Sequence, residues 1–143
     1  METFDLMWRV GGGWRRVAGA ALRPFHMTLA QYELTWLTRR RGALPPSVAA
    51  AELGWDRPTL SLVARGCLAA GWLKRTRSSK DRRGASLELS GKGEELLDRI
   101  ESRKPFAVEA LGDSLDIIGS DERALLARLL DRVARRAGDL WRR

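Results

Sequence analysis

The sequence holds one cysteine, one histidine and one tyrosine in 143 residues. A lone cysteine excludes an internal disulfide framework. One cysteine with one histidine cannot supply a structural zinc site of the usual Cys/His kind within a chain. No apolar run approaches the roughly 18–20 residues of a membrane span. The first residues, Met1-Glu2-Thr3-Phe4-Asp5, are acidic and lack the apolar stretch of a secretory signal. No Ser/His/Asp grouping exists beyond His26, and no carboxylate pair has neighbours that suggest a site. These shortages lead us to expect a cytoplasmic protein that is not an enzyme, with no metal, no cofactor and no membrane partner.

What is present describes a folded chain. Apolar residues make up 44% and charged residues 31%, which fits a globular protein better than a disordered one. The length suits one domain spanning 1–143. Lys and Arg number 26 against 18 Asp and Glu, a net charge of +8. The excess is concentrated. Residues 54–86 carry eight basic side chains (Arg57, Arg65, Lys74, Arg75, Arg77, Lys80, Arg82, Arg83) against Asp56 and Asp81, whereas residues 87–143 are close to neutral. A solvated helix face usually mixes signs, and a one-signed stripe is the footprint of a polyanionic partner.

Apolar spacing predicts a helix over Phe4 to Leu22 that Gly11-Gly12-Gly13 interrupts. Three glycines lose about 3 kcal/mol of helix propensity relative to alanine, so close packing or a bend is expected there. The triplet lacks the spacing and the Lys-Ser/Thr of a phosphate loop. Thr28 is placed to cap a helix to about Arg40, and Arg41-Gly42 to end it. Leu44-Pro45-Pro46-Ser47 opens a short helix that stops at Gly54. Asp56 caps the next, Arg57 to about Ala70, with Pro58 in its first turn, Leu60, Val63, Ala64, Cys67 and Leu68 inward, and Gly71 as terminator. Trp72–Arg77 and Ala85–Ser90 read as strands around a charged tip, the second alternating with period two. Ser90 caps a further helix that Pro105 should kink or end, and Phe106 to Ile118 continues as helix. Ser120 caps the last, which carries Leu125, Leu126, Leu129, Leu130, Val133, Ala137, Leu140 and Trp141.

Two short helices joined by a glycine turn, then a basic hairpin, make a winged helix-turn-helix. The expected fold is therefore mainly α: a winged helix-turn-helix over 28–97, flanked by helical dimerisation regions 1–27 and 98–143. A helix starting at Asp56 can enter the major groove. Its outer face would present Arg57, Thr59, Ser61, Leu62 and Arg65. Arg57 or Arg65 suits bidentate contact with guanine, Thr59 and Ser61 suit phosphate, and Leu62 suits a thymine methyl. In the wing, 74–87, an arginine gains from the negative potential of a narrow minor groove, and a carboxylate two residues away can hold it.

Several segments together resemble the MarR family of bacterial winged-helix regulators over about residues 5–140: Leu29-Ala30-Gln31-Tyr32, Val48-Ala49-Ala50-Ala51-Glu52-Leu53-Gly54, Thr59-Leu60-Ser61, Gly71-Trp72-Leu73, and Lys80-Asp81-Arg82-Arg83 leading to Leu87-Glu88-Leu89-Ser90-Gly91-Lys92-Gly93. The resemblance implies a homodimeric DNA-binding transcriptional regulator, a repressor, on a palindromic operator in double-stranded DNA. It implies that Asp81 orients Arg83 or Arg82 into the minor groove, beside Lys80. Where the family often has an earlier wing aspartate, this chain has Ser78 or Ser79. The apolar stripe of the last helix is wider than one short domain can cover, which independently favours a two-fold dimer. The resemblance also suggests a small aromatic effector in a pocket formed by Trp14, Arg15, Arg16, His26, Tyr32 and Trp36, residues for which core packing is the competing account. Cys67 is expected as a buried apolar side chain rather than a redox sensor. The alternative to DNA binding is a protein-interaction module whose basic face docks an acidic partner.

Overall fold

The chain runs α1 (Glu2–Leu22), a 3₁₀ turn (Arg23–Phe25), α2 (Leu29–Arg41), α3 (Pro46–Leu53), α4 (Arg57–Ala69), β1 (Leu73–Thr76), β2 (Ser86–Leu89), α5 (Gly91–Glu101) and α6 (Ser120–Trp141). The computed structural model describes residues 2–77, 84–102 and 117–141. The fold is mainly helical with one two-stranded antiparallel sheet, as expected. None of the described helices is long and apolar enough to cross a membrane.

Helix α2 is the centre, touching α1, α3, α4, β2 and α5. Its start is fixed by reciprocal bonds: the Gln31 N–H donates to the Thr28 hydroxyl at 3.2 Å, and the Thr28 N–H to Gln31 Oε1 at 2.9 Å. It buries Leu34 and two threonines, Thr35 and Thr38. Their hydroxyls donate to carbonyls one turn back, Thr35 to Gln31 at 2.9 Å and Thr38 to Thr35 at 2.7 Å, so neither is an unmet polar group. The core around them includes Leu22, Leu60, Cys67, Leu87, Leu97 and Ile100.

The sheet pairs Leu73 with Leu89, Lys74 with Glu88, Arg75 with Leu87 and Thr76 with Ser86. Leu44 adds a bridge on the other edge, exchanging backbone bonds with Leu87 at 2.9 and 3.0 Å. Thus β2 lies between β1 and a one-residue third rung ahead of α3.

Several expectations are corrected. Helix α1 is unbroken through Gly11-Gly12-Gly13, and a Cβ on any of the three would meet no described atom within 4 Å. The glycines therefore mark neither a bend nor a close approach within the chain. Backbone i→i−4 bonds need no side chains, and propensity is a weak prior when spread over a 21-residue helix. Ser120 is the first residue of α6 rather than its cap. Gly119 holds that place, its carbonyl accepting from Arg123 and its N–H donating to Glu122 Oε2 at 2.8 Å. Helix α5 ends at Glu101, ahead of Pro105, with Ser102 at its C-cap. Ile117 and Ile118 lie in a turn and bend. Pro105 and the rest of the helix expected over Phe106 to Ile118 lie outside the described residues.

Candidate nucleic-acid interface

The α3–α4 turn is three residues long and fixed at both ends. Gly54 sits in the left-handed region at φ 67°, and the Trp55 N–H returns to the Ala50 carbonyl at 2.9 Å. Asp56 Oδ1 accepts from the Thr59 N–H at 2.7 Å. Hydrogen bonds from Thr59, first from its side chain and then from its backbone, hold the Asp56 carboxyl below the usual carboxylate range. The Thr59 backbone N–H is thereby committed to the cap, and the residue is exposed.

Helix α4 divides as its sequence indicates. Leu60, Ala64 and Cys67 are buried, while Arg57, Thr59, Ser61, Leu62 and Arg65 are exposed. Arg57, Ser61 and Arg65 stand one turn apart on one face, with Leu62 beside them at 67% exposure. No described residue forms an ion pair with Arg57 or Arg65. The back of α4 lies close on α2 at Gly66, where a Cβ would stand 2.9 Å from Gln31 Nε2. Gly71, at φ 77°, ends the helix and turns the chain into the hairpin.

Alternation sorts the cations of β1. Lys74 pairs with Glu88 across the sheet at 3.6 Å. Arg75 and Arg77 are exposed. Arg75 shares a groove of about 450 Å³ with Ser61, Arg65, Leu68 and Leu87. Arg75 is not among the site residues expected from sequence, because alternation puts it on the face of Leu73 and its groove forms only where α4 meets the sheet. The wing residues Lys80, Asp81, Arg82 and Arg83 lie outside the described residues.

One arginine of α2 meets three carboxylates of α5. Arg39 of α2 reaches Asp98 at 2.6 Å, Glu94 at 3.2 Å and Glu101 at 3.9 Å, and its guanidinium lies 6.0 Å from the Trp36 ring centroid.

The residues expected to line an effector pocket divide into groups. Arg15 and Trp36 share an open groove of about 320 Å³ with Glu33, Arg40, Leu53 and Trp55. Burial raises the Glu33 carboxyl, against the pull of Arg15. Tyr32 stacks on Trp36 with centroids 6.4 Å apart, and its hydroxyl is pushed up to about 12, first by burial, then by Glu101, with Arg39 opposing. Trp14 packs against the core. His26 is exposed at the end of the 3₁₀ turn, at φ 53°. Arg16 is exposed farther along α1. Glu33, Arg40 and Trp55 escape sequence reasoning because they meet only in the fold. Cys67 is buried, and its thiol is pushed up to about 12 by desolvation. Among the described residues no group of His, Cys, Asp and Glu could hold a metal.

Helix-turn-helix plus hairpin defines a winged-helix protein, and known structures narrow the class. The chain superposes on a mutant of MarR from E. coli complexed with operator DNA, at TM-score 0.84 and 21% identity, over 93% of this chain and 94% of that one. It superposes on CouR from Rhodococcus jostii RHA1 bound to p-coumaroyl-CoA at TM-score 0.80 and 22% identity, over 90% and 89%. A MarR transcriptional regulator from Methanosarcina mazei Go1 aligns at TM-score 0.80 and 17% identity, over 97% and 96%. In sequence, the chain is 28% identical over 121 residues to the HTH-type transcriptional regulator PecS of Dickeya dadantii (strain 3937), 82% of this chain and 71% of that protein. No family model matches. The fold is the winged-helix fold of the MarR family, the family that the sequence resembles.

Proposed function

We propose that the chain is a sequence-specific DNA-binding transcriptional regulator, acting as a homodimeric repressor on a palindromic operator. The observation that carries this is the outer face of α4: Arg57, Ser61, Leu62 and Arg65 exposed together, the cations without described counter-charges, on a helix held by caps at a three-residue turn. In the duplex, Arg57 and Arg65 reach base edges or phosphate, Ser61 phosphate, and Leu62 a thymine methyl. Thr59 gives its backbone N–H to the Asp56 cap, and its exposed hydroxyl serves phosphate. Lys80, Asp81, Arg82 and Arg83 serve the minor groove, as the resemblance implies.

The operator complex of the E. coli protein and the regulator name of PecS support this reading. The exposed apolar sides of α1 (Leu6, Met7, Val10, Val17) and α6 (Leu125, Leu126, Leu129, Leu130, Val133) support association of two copies. Binding of p-coumaroyl-CoA by CouR supports release by a small aromatic effector, for which the Arg15–Trp36 groove is the candidate place. Release requires that the effector favour one spacing of the two recognition helices over the other.

Selection of bound duplexes from a random pool tests the reading. The expected result is a two-fold symmetric consensus, retained at about 150 mM salt and weakened by Arg57→Ala. Affinity in the range of about 10⁻⁴–10⁻⁶ M with no sequence preference is nonspecific binding and would instead favour the acidic-partner module.

A further inference from the structure

Strand β1 places its cations on two faces, and they meet different fates. Lys74 projects from the face that also bears Glu88, and the two form a pair at 3.6 Å. Arg75 projects with Leu73 and Leu87, the face turned to the core. It nevertheless remains exposed, because the strand there runs past the apolar floor and alongside α4. Arg75 lines the same groove as Ser61 and Arg65.

Two arginines, Arg65 and Arg75, therefore line one groove, and neither has an ion-pair partner among the described residues. The groove floor, Leu60, Ala64, Leu68 and Leu87, offers no carboxylate to separate them. Like charges beside a low-dielectric wall repel unless an anion lies between them. Ser61 adds a hydroxyl donor to the same rim. The set of two planar cationic forks and one hydroxyl matches a tetrahedral oxyanion better than a base edge.

We propose, resting on the DNA-binding reading above, that Arg75 and Arg65 clamp one backbone phosphate of the duplex between α4 and β1. The hairpin then contributes to binding at its base, independently of its tip. Because a phosphate is present at every step, the contact sets the depth and register of α4 and carries no sequence information.

The test compares Arg75→Gln and Arg75→Ala with the wild type, by fluorescence anisotropy on two labelled duplexes. One is recovered from the selection and the other is of random sequence, both about 30 base pairs to span two half-sites. The glutamine keeps much of the packing stem, and an unchanged circular dichroism spectrum and melting temperature establish that it folds. The expected result is an affinity loss of roughly tenfold at low salt, as for one charge-assisted hydrogen bond. The loss should be equal on both duplexes, with the slope of log affinity against log salt reduced by about 1. Arg99→Ala, which removes a charge from α5, should leave the slope unchanged. Wild type that binds with the same slope as Arg75→Gln overturns the clamp and leaves the DNA-binding reading intact. A loss confined to the selected duplex overturns the phosphate assignment in favour of base contact. Wild type that binds neither duplex overturns both readings.

Discussion

Gly93 lies directly on the backbone of Trp72: a Cβ at position 93 would overlap the Trp72 carbonyl oxygen and stand 2.7 Å from Leu89 Cδ1. The contact fastens the first turn of α5 to the start of the hairpin. It is reinforced by Ser90, whose N–H donates to that same carbonyl at 3.0 Å and whose hydroxyl caps Gly93 N–H at 3.0 Å.

Gly93→Ala should therefore destabilise the fold by about 3 kcal/mol, since the obstacle is backbone that cannot rotate away. Gly91→Ala, two residues earlier in open space, should be neutral or slightly stabilising through helix propensity. Urea midpoints for the two variants check the contrast. Similar midpoints would show that α5 can shift freely over Trp72.

Asp56→Ala should lower the melting temperature and loosen the first turn of α4, whereas Asp56→Asn should retain most of the cap. Because the folded carboxyl titrates below its unfolded value, near 3.9, the stabilisation is complete above that value. It fades as pH falls through the lower, folded one. The gap between the melting curves of wild type and Asp56→Ala should thus begin to narrow below about pH 4 and close only below the lower, folded value. A gap that persists there would mean that the carboxylate is not what caps the helix.

Tyr32 is the chain's one tyrosine, so its ionisation can be followed by ultraviolet difference absorbance. In the folded protein the midpoint should lie at about 12. In guanidinium it should return to about 10. The folded state keeps the proton longer, so this group's contribution to stability is full below about pH 10 and is lost as pH rises through the folded value. An unshifted native midpoint would contradict the burial of the hydroxyl beside Glu101.

Cys67 should resist Ellman's reagent in the native protein at pH 8 and react fully once unfolded, because burial keeps its thiol protonated up to about 12. Peroxide should leave DNA binding unchanged. Rapid native labelling would open a redox role for α4.

What could be read in the sequence was whatever depends on neighbours in the chain. The Thr28 and Asp56 caps, the Gly54 and Gly71 stops, the inward set of α4 and the alternation of β2 all follow from contacts within a few residues. The hidden parts depend on distant partners. Thr35 and Thr38 look polar in sequence and behave as core, because their hydroxyls are satisfied one turn back. Leu44 pairs as a single residue with Leu87, too short a rung to show a period. Arg39 meets Asp98 across 59 positions, and neither is distinguishable from an ordinary surface charge beforehand. At the candidate site, the outer face of α4 was legible from spacing. Arg75 was not singled out, since the groove that sets it apart from Lys74 exists only once α4 lies beside the sheet.

Helix α1 keeps its form through Gly11-Gly12-Gly13 without a side chain to shield the backbone there. Water can compete for those amides on every side that a neighbour leaves open, and glycine gains the most freedom on release. The middle of this long rod is then its soft joint. In hydrogen exchange the triplet should lose protection before either flank, letting the segment ahead of it swing while the segment behind stays anchored through Ala18 and Leu22.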